Sequence, residues 1–365
     1  MLRPTAIAAA ALMAACGQAC AEPPAATPTP ADSLTTITSV TTTTAIEVST
    51  TAVAPAATTT GPPPVETRRG RLVIHAVGDV NFAPNSTGVF TRDGFEIAWS
   101  GLRGIFQSDH LTIVNFECSP TQIGIPIEKE WTFRCPLDSL APMRAAGVEV
   151  TSLANNHAGD LGKAALVDGR ANLIAAGFHA VGAGRDLEEA NQPAVIEIEG
   201  WRIAVVGFSS ISGDTGWFAT DGAPGVAPAS IGNITASVSA ASEVADIVIV
   251  MVHWGLELTS QPTRGDRLRA DAMIAAGADV IVGHHPHRLQ PLEIVDGVPV
   301  FWSMGNFVWP YLSHLQSVTA VAEIVIEPDG SVRGRLIPAY IESHGHPELR
   351  GSPDPSLVPE RIAAD

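Results

Sequence analysis

The sequence predicts a layered α/β domain between residues 69 and 345. Short apolar runs rich in β-branched residues recur along this stretch, as is typical of strands that are buried on both faces. Alanine-rich segments with helical spacing separate several of these runs. Because strand-like and helix-like segments alternate along the chain, we expect a layered α/β architecture.

Each element has its own signal. The predicted strands are 72–77, 111–116, 148–153, 194–198, 202–206, 247–252, 280–282 and 299–302, and the predicted helices are 137–146, 163–176, 229–244 and 266–276. Gly147, Gly177 and Gly277 follow three of these helices, at the position where a helix often ends in a left-handed residue. Segments 318–327 and 332–337 predict an antiparallel hairpin.

The composition excludes several classes of protein. The chain of 365 residues carries 21 Lys and Arg against 38 Asp and Glu, which gives a formal net charge of −17. This balance argues against nucleic acid as a partner, because phosphate-backbone binding requires clustered basic residues. A hydrophobic content of 45% excludes disorder throughout. Outside the N-terminus, no apolar run reaches the ~18–20 residues of a membrane-spanning helix.

Residues 1–21 have the pattern of an export signal, with Arg3 before a short apolar run. Two endings remain open. Residues 13–16 are similar to the lipobox of bacterial lipoproteins, in which Cys16 is lipidated and anchors the protein to the membrane. Alternatively, the small residues at 19–21 form a signal-peptidase site that releases a soluble secreted protein. We favour the first, which predicts a cell-envelope lipoprotein on the outer side of the cytoplasmic membrane.

The segments that flank the domain have little to bury. Residues 22–68 are dominated by Thr, Pro and Ala and contain no aromatic residue, which predicts a disordered tether. Residues 346–365 predict a flexible tail. Inside the domain, Cys118 and Cys135 are either a disulfide or two buried thiols, and we favour the disulfide because the chain carries an export signal.

Polar residues follow five of the predicted strands. In α/β sheets, ligands bind beyond the carboxyl ends of parallel strands, so these side chains converge if the strands are parallel neighbours. Buried together, such groups would be costly unless a metal ion satisfied them. Mixed imidazole, carboxylate and amide ligands suit Mn, Fe or Zn better than Ca. The residues at the strand ends are Asp79, Asn115, Glu117, Asn155, Asn156, His157, His253, His284, His285 and His287.

Most of these motifs have an ordinary structural explanation when they are taken alone, although three imidazoles within residues 284–287 seldom serve packing. Gly-Asp and Asn are common in turns, and a single His after an apolar strand is usually a core residue. The shared position at strand ends is what favours a site. Trp131 and Arg134, in the loop after Glu117, either face a ligand or pack on the rim. His75 lies inside a strand and has the pattern of an ordinary core residue.

The motifs occur in an order that resembles the CapA, or PgsA-type, capsule-synthesis proteins associated with poly-γ-glutamate, a family similar to the calcineurin-like metallophosphoesterases. The resemblance spans residues 72–341 and implies a four-layer αββα sandwich with two divalent ions at the strand ends. The motifs are Gly78-Asp79, Asn115-Phe116-Glu117, the Asn155-Asn156-His157 segment with Asp160 and Gly162, Gly182-Ala183-Gly184, His253-Trp254-Gly255 with Glu257, Gly283-His284-His285-Pro286-His287 and Ser303-Met304-Gly305-Asn306-Phe307.

The resemblance implies a role for each matching residue. His157 would stay unligated and protonate the leaving group. In the last motif, either His285 and His287 or His284 binds metal, and we favour the first pair because alternate residues of an extended chain point to the same side. The implied metal ligands are Asp79, Glu117, Asn156, His253, His285 and His287. As candidate substrate contacts we assign Asn115, His284, Trp131, Arg134, Glu257 and Asn306.

This chain departs from the metallophosphoesterase pattern at two positions. Asn81 stands where a phosphoesterase has a ligating His, and Glu117 stands where an Asp bridges the ions. We therefore expect a metal-dependent hydrolase or transferase that acts on a phosphoester or amide of an anionic envelope polymer or its precursor, alongside other capsule-synthesis components. The alternative is a non-catalytic polymer-binding or export component with a degenerate or structural metal site.

Overall fold

A computed structural model describes residues 69–83, 88–211 and 216–351. The predicted signal at 1–21, which contains Cys16, lies outside these ranges. So do the predicted tether at 22–68 and the chain after residue 351. Among the described residues, no helix has the length and apolar character needed to cross a membrane.

Strands of the described ranges form two large sheets and one small ribbon. They are β1 (Leu72–Val80), β2 (Leu111–Phe116), β3 (Val150–Ser152), β4 (His179–Val181), β5 (Ala183–Gly184), β6 (Ala194–Ile198), β7 (Trp201–Ser209), β8 (Gly225–Val226), β9 (Ile247–His253), β10 (Val280–His284), β11 (Leu292–Val295), β12 (Val298–Phe301), β13 (Asn306–Val308), β14 (Val318–Ile326), β15 (Val332–Ser343) and β16 (His346–Leu349). The first sheet has the order β16-β15-β14-β1-β2-β3-β4, with β13 paired to β1, and the second has the order β11-β12-β10-β9-β7-β6. β5 and β8 form the ribbon.

Both faces of each large sheet are covered. Along β9, Ile247, Ile249 and Met251 pack into the core between the two sheets, whereas Val248 and Val250 pack into the core outside the second sheet. This alternation follows from the two-residue period of a strand. A third core lies against the outer face of the first sheet. The layers are therefore helices, sheet, sheet and helices, which confirms the expected four-layer αββα sandwich.

Helices form the two outer layers. The outer core of the first sheet includes side chains of α1 to α4, and that of the second sheet includes side chains of α6 and α7. The bounds are α1 (Val89–Asp93), α2 (Ile97–Ser100), α3 (Leu140–Ala145), α4 (Lys163–Ala175), α5 (Leu187–Asn191), α6 (Ile231–Val244), α7 (Arg264–Ala275) and α8 (His314–Ser317). Gly147, Gly177 and Gly277, which follow α3, α4 and α7, have positive φ, as predicted from their positions.

The C-terminal hairpin is antiparallel, as predicted, with Val318 opposite Tyr340 and Ile326 opposite Val332. One boundary requires correction. Residues 346–349, which we assigned to the flexible tail, form β16 and pair with β15. The physical reason is burial: Leu349 is only 1% exposed and belongs to the outer core of the first sheet. The domain therefore extends past residue 345.

The strands with polar ends do not all belong to one sheet. β1, β2 and β3 are parallel neighbours in the first sheet, whereas β9 and β10 are parallel neighbours in the second. Apolar periodicity within a strand does not tell which other strand it pairs with, so the sequence did not reveal this division. The two sets of strand ends nevertheless meet, because the sheets are stacked face to face.

Candidate metal centre

The end of β1 is shaped by a close approach between two backbones. A Cβ on Gly78 would lie 2.0 Å from the carbonyl oxygen of Gly305. Because glycine has no Cβ, the N–H of Asp79 can donate to that oxygen at 2.9 Å. β1 also shifts register against β2 between Val77 and Asp79, which places Asp79 opposite Asn115. The Asp79 carboxylate thus enters the space between the strand ends.

A buried group of ligand-type atoms joins the two sheets. Atoms of Asp79, Glu117 and His253 all lie within 4.8 Å of one another. The side-chain amide of Asn115 donates to Asp79 Oδ1 at 2.9 Å and to Glu117 Oε2 at 3.2 Å. His253 Nε2 lies 2.8 Å from Asn156 Oδ1 and 3.6 Å from Glu117 Oε1. Carboxylate, amide and imidazole atoms therefore converge on one point.

Two carboxylate oxygens at this point have no hydrogen-bond donor among the described residues. Asp79 Oδ2 lies 3.1 Å from His287 Nδ1 without normal hydrogen-bond geometry, and Glu117 Oε1 is also unsatisfied. Both side chains are 0% exposed. Burying an unpaired carboxylate costs free energy, because the group loses its hydrogen bonds to water and gains no replacement partner. A divalent cation would satisfy both oxygens, so the residues present fit a metal ion.

The pKa values fit the same conclusion. Burial, followed by the nearby charge of Asp79, raises the pKa of Glu117 well above its ordinary value. Burial, followed by the charge of His285, lowers the pKa of His253 well below its ordinary value. Burial and then the charge of His287 lower the pKa of His285 to about 3. His253 and His285 are therefore neutral imidazoles with a lone pair to offer, which is the form that binds metals.

A second group lies nearer to the surface. Atoms of Glu257, His285 and His287 lie within 4.8 Å of one another, and Glu257 is exposed. His285 also connects the two groups, because its Nδ1 lies 3.1 Å from His253 Nε2. The His287 ring packs against Trp309, with ring centres 4.8 Å apart. The described residues therefore offer two neighbouring candidate ligand groups, in line with the two ions that the family resemblance implies.

The loop after β10 does not have the conformation on which we based our choice of ligands. His285 and His287 have φ values of 98° and 52°, so neither residue is extended. Left-handed backbone at a non-glycine residue costs of order 1–3 kcal/mol and is retained where surrounding contacts impose it. Both imidazoles reach the site through a tight turn rather than by alternation along a strand. His284, the other candidate, has its Nε2 at 3.0 Å from the carbonyl oxygen of Val77.

Comparison with known proteins now identifies the family. The family described as bacterial capsule synthesis protein PGA_cap matches residues 73–311. The chain belongs to this family.

Two relatives show how far the similarity extends. The PGA biosynthesis protein CapA of Bacillus subtilis is 32% identical over 268 residues, covering 73% of this chain and 70% of that protein. The capsule biosynthesis protein CapA of Bacillus anthracis is 26% identical over 311 residues, covering 83% of this chain and 75% of that protein. Among solved structures, a novel phosphatase of Mycoplasma pneumoniae is similar with a TM-score of 0.49 and 13% identity, covering 81% of this chain and 98% of that chain.

In this PGA_cap chain, His157 lies beside the buried ligand group and contacts charged residues. Its Nδ1 lies 2.7 Å from Asp160 Oδ2, and its ring packs on Phe133 with centres 4.3 Å apart. Lys129 Nζ donates to Asp160 Oδ1 at 2.9 Å and to the carbonyl oxygen of Asn156 at 2.8 Å. Burial lowers the pKa of His157, although Asp160 opposes the effect. Sequence reasoning assigned no role to Lys129, since one Lys in a loop carries no signal.

The loop that carries Lys129 is closed covalently. Cys118 and Cys135 form a disulfide with Cα atoms 5.7 Å apart, directly after Glu117. Arg134 donates to the carbonyl oxygens of Thr121, Ile123 and Gly124, so its guanidinium holds the loop together. These contacts occupy the group that we expected to face a substrate.

The remaining predicted substrate residues fall into different environments. Asn115 and Asn306 are buried in the hydrogen-bond network, and Asn306 Oδ1 lies 2.9 Å from His287 Nδ1. Trp131 is 60% exposed on the disulfide-closed loop. Glu257 belongs to the outer ligand group rather than standing apart from it. Contact of any of these residues with a substrate stays a prediction.

Proposed function

We propose that this PGA_cap chain is a metal-dependent hydrolase or transferase that acts on an anionic envelope polymer or its precursor. One observation carries the proposal: Asp79 and Glu117 each direct an unsatisfied carboxylate oxygen at neutral imidazole and amide ligands. Structural cores avoid such a combination, whereas metal-dependent active sites require it. The metals would provide Lewis acidity and water of lowered pKa.

The residues around His157 support a role in proton transfer. Asp160 accepts from the Phe133 N–H at 2.8 Å and approaches His157 Nδ1, so it holds a proton on that nitrogen. His157 Nε2 is then the atom that exchanges a proton with a bound substrate. A leaving group would be protonated from the imidazolium form, which the negative charge of a phosphoester or polymer carboxylate would favour.

The B. subtilis relative is named for PGA biosynthesis and the B. anthracis relative for capsule biosynthesis. By extension, we propose that the polymer is a poly-γ-glutamate type chain and that the bond is a phosphoester or an amide. We also propose that the protein is exported and held at the outer side of the cytoplasmic membrane through Cys16. The Cys118–Cys135 disulfide supports export, since such bonds persist in oxidising compartments.

A hydrolysis assay with a matched pair of variants tests the reaction. Metal-free protein is supplied with Mn²⁺ or Zn²⁺, and hydrolysis of bis(p-nitrophenyl) phosphate and of poly-γ-glutamate is measured. We expect turnover only with metal, and we expect His157→Ala to lower the rate by roughly 10²–10⁴-fold while metal content is unchanged. His179→Ala, at an exposed His on β4, serves as the control. A folded protein that takes up neither metal would contradict the proposal.

A non-catalytic polymer-binding component is the second candidate. The Asn at position 81 favours it, because a metallophosphoesterase would have a ligating His there. A pure binder would retain polymer affinity in the His157→Ala variant and would show no turnover in the unmodified protein. The same assay, read together with a polymer-binding measurement, separates the two functions.

A further inference from the structure

Two turns that follow neighbouring strands of the second sheet are fastened to each other. The first turn follows β9 and the second follows β10. The Leu258 N–H donates to the carbonyl oxygen of Pro286 at 2.8 Å, and the Trp254 N–H donates to that of His284 at 3.1 Å. Gly255 and Leu258 have φ values of 87° and 61°, so the first turn curls back over the second. The two turns therefore form one structural unit.

The consequence of this curl is the position of Glu257. A carboxylate oxygen of Glu257 lies within 4.8 Å of a ring nitrogen of both His285 and His287. Among the described residues, Glu257 makes no hydrogen bond or ion pair of its own. Burial lowers the pKa of His287, but Asp79 and then the charge of Glu257 raise it. An exposed carboxylate held beside two imidazoles, without a partner, has the form of an open cation site.

The inner ligand group is complete without Glu257. The outer imidazole, His287, needs a further ligand beside it. Asp79, Glu117 and His253 converge below the surface together with Asn156. The side-chain oxygen of Asn81 is engaged with the following chain, where it accepts from the Ala83 N–H at 2.8 Å, and Asn81 has no imidazole to offer the outer position. His287 is the imidazole nearest to Asp79, with 3.1 Å between His287 Nδ1 and Asp79 Oδ2. One of its ring nitrogens also lies within 4.8 Å of a Glu257 carboxylate oxygen.

We propose that Glu257 is a metal ligand and that, with His285 and His287, it completes a second divalent-cation site in place of a ligand at position 81. A site of one carboxylate and two imidazoles suits Zn²⁺ or Mn²⁺. The inference deepens the proposed function, because it rests on metal binding, but it does not depend on which bond is cleaved.

Metal stoichiometry tests the assignment without any activity measurement. The full chain is stripped of metal and titrated with Zn²⁺ by calorimetry, and bound zinc is counted after gel filtration. We expect two ions per chain for the unmodified protein and one for Glu257→Gln. Glu257→His should restore the second ion. Like Gln, a neutral His side chain carries no charge, but it offers a ring nitrogen as a ligand. Recovery of the second ion by His therefore separates ligation from through-space attraction. Glu128→Gln, which removes an exposed charge from the disulfide-closed loop, is the control and should keep two ions.

Each other outcome overturns the assignment. Two ions in Glu257→Gln would show that Glu257 is not a ligand and would leave the proposed function intact. Equal loss in the Gln and His variants would assign the effect to charge alone. A single ion in the unmodified protein would remove the second site. No ion at all would overturn this inference and the proposed metal dependence together. Since Glu257 is exposed, we expect each variant to fold, and thermal unfolding of the metal-free proteins verifies it.

Discussion

Strand β1 carries two buried clusters of histidine and carboxylate, and protein cations neutralise them to different degrees. The first surrounds His75 in the middle of the strand and includes Asp109 and Glu323. The second surrounds Asp79 at the strand's end and includes Glu117. Each cluster holds two buried carboxylates. Among the described residues, the first is balanced by His75 and Arg335, whereas the second has only His287 as a cation close to one of its carboxylates.

The His75 cluster is neutralised from within the protein. His75 Nδ1 lies 2.7 Å from Asp109 Oδ2, and Thr112 Oγ1 donates to the same oxygen at 2.7 Å. Arg335 Nε donates to Glu323 Oε1 at 2.5 Å. Burial alone would lower the pKa of His75, but Asp109 and Glu323 outweigh it and raise that pKa. Asp109 and Glu323 therefore favour the cationic form of His75.

The Asp79 cluster is neutralised only in part. Burial lowers the pKa of His253 and of His285, so neither is a ready cation. Burial alone would lower the pKa of His287 too, but Asp79 outweighs it and raises that pKa. Glu117 has no comparable partner among the described residues. The comparison teaches that buried carboxylates alone do not identify a metal centre. Unsatisfied oxygens alone do not identify one either, because Glu323 Oε2 in the His75 cluster also has no hydrogen-bond donor among the described residues. What distinguishes the two clusters is how much of the compensating charge the protein itself supplies.

The largest expected effect comes from removing the central imidazole of each cluster. In metal-free protein, His75→Leu should lower the free energy of unfolding by about 3–5 kcal/mol, because two buried carboxylates lose their cation. His253→Leu should cost only about 1 kcal/mol, since a neutral imidazole and its hydrogen bond are lost. Urea unfolding followed by circular dichroism measures both. Equal losses would break the contrast between the clusters.

Added metal should stabilise only one cluster. At Zn²⁺ concentrations 100-fold above the dissociation constant, the free energy of unfolding should rise by about 2.7 kcal/mol per site. Glu117→Gln should abolish most of this gain, because it removes a carboxylate ligand. It should change the metal-free stability little, because burial raises the pKa of Glu117 and disfavours its charged form there. Thermal unfolding with and without Zn²⁺ measures the gain. The companion variant Glu323→Gln should keep it in full.

Lys129 tests whether a cation beside the Asp79 cluster acts on His157 rather than on the fold. Lys129→Met removes a charged hydrogen bond to Asp160 and should lower turnover roughly tenfold, or about 1.4 kcal/mol of barrier. Lys129→Arg should recover most of the rate. Turnover and KM are measured with bis(p-nitrophenyl) phosphate. A change in KM alone, or no recovery by Arg, would argue against a positioning role.

The smallest expected effect is a pH dependence of the free energy of unfolding that comes from Glu149, which lies near the His75 cluster. Burial raises the pKa of Glu149 from 4.5 to about 7. Since the folded pKa lies above the unfolded one, the stabilising contribution of the protonated group is complete below pH 4.5 and is lost as pH rises through about 7. Glu149→Gln should therefore flatten the decline in unfolding free energy over this range, as measured by urea titrations at several pH values. An unchanged slope would contradict the assignment.

The long buried strands and the four predicted helices were predictable because each is encoded locally, by apolar period and by a glycine after three of the helices. The polar ends of β1, β2 and β9 were predictable for the same reason. The shorter elements were not predicted, because two to five residues carry too little periodicity. They are β4, β5, β8, β11, β13, β16, α1, α2, α5 and α8. Pairing was not predictable either, because the β9 sequence contains nothing that excludes it from the first sheet. The confirmed sandwich came from the order of motifs rather than from periodicity.

The parts of the site that escaped prediction depend on contacts between distant segments. His75 had the pattern of a core residue, yet its partners lie 34 residues away at Asp109 and in β14 at Glu323. Lys129 reaches Asp160 only through the fold of the disulfide-closed loop. The left-handed backbone at His285 could not be predicted, because the contacts of the folded turn impose it and the sequence carries no local signal for it.

The two stacked sheets contribute side chains to the same point: Asp79 and Glu117 come from the first sheet, and His253 and His285 come from the second. An ion coordinated there would be a cross-link between layers that are otherwise joined mainly by apolar packing. Separating the layers would first require its release. We therefore expect backbone amide hydrogens of β1 and β10 to exchange with solvent more slowly when the ion is bound, while exchange at the edge strands is unaffected.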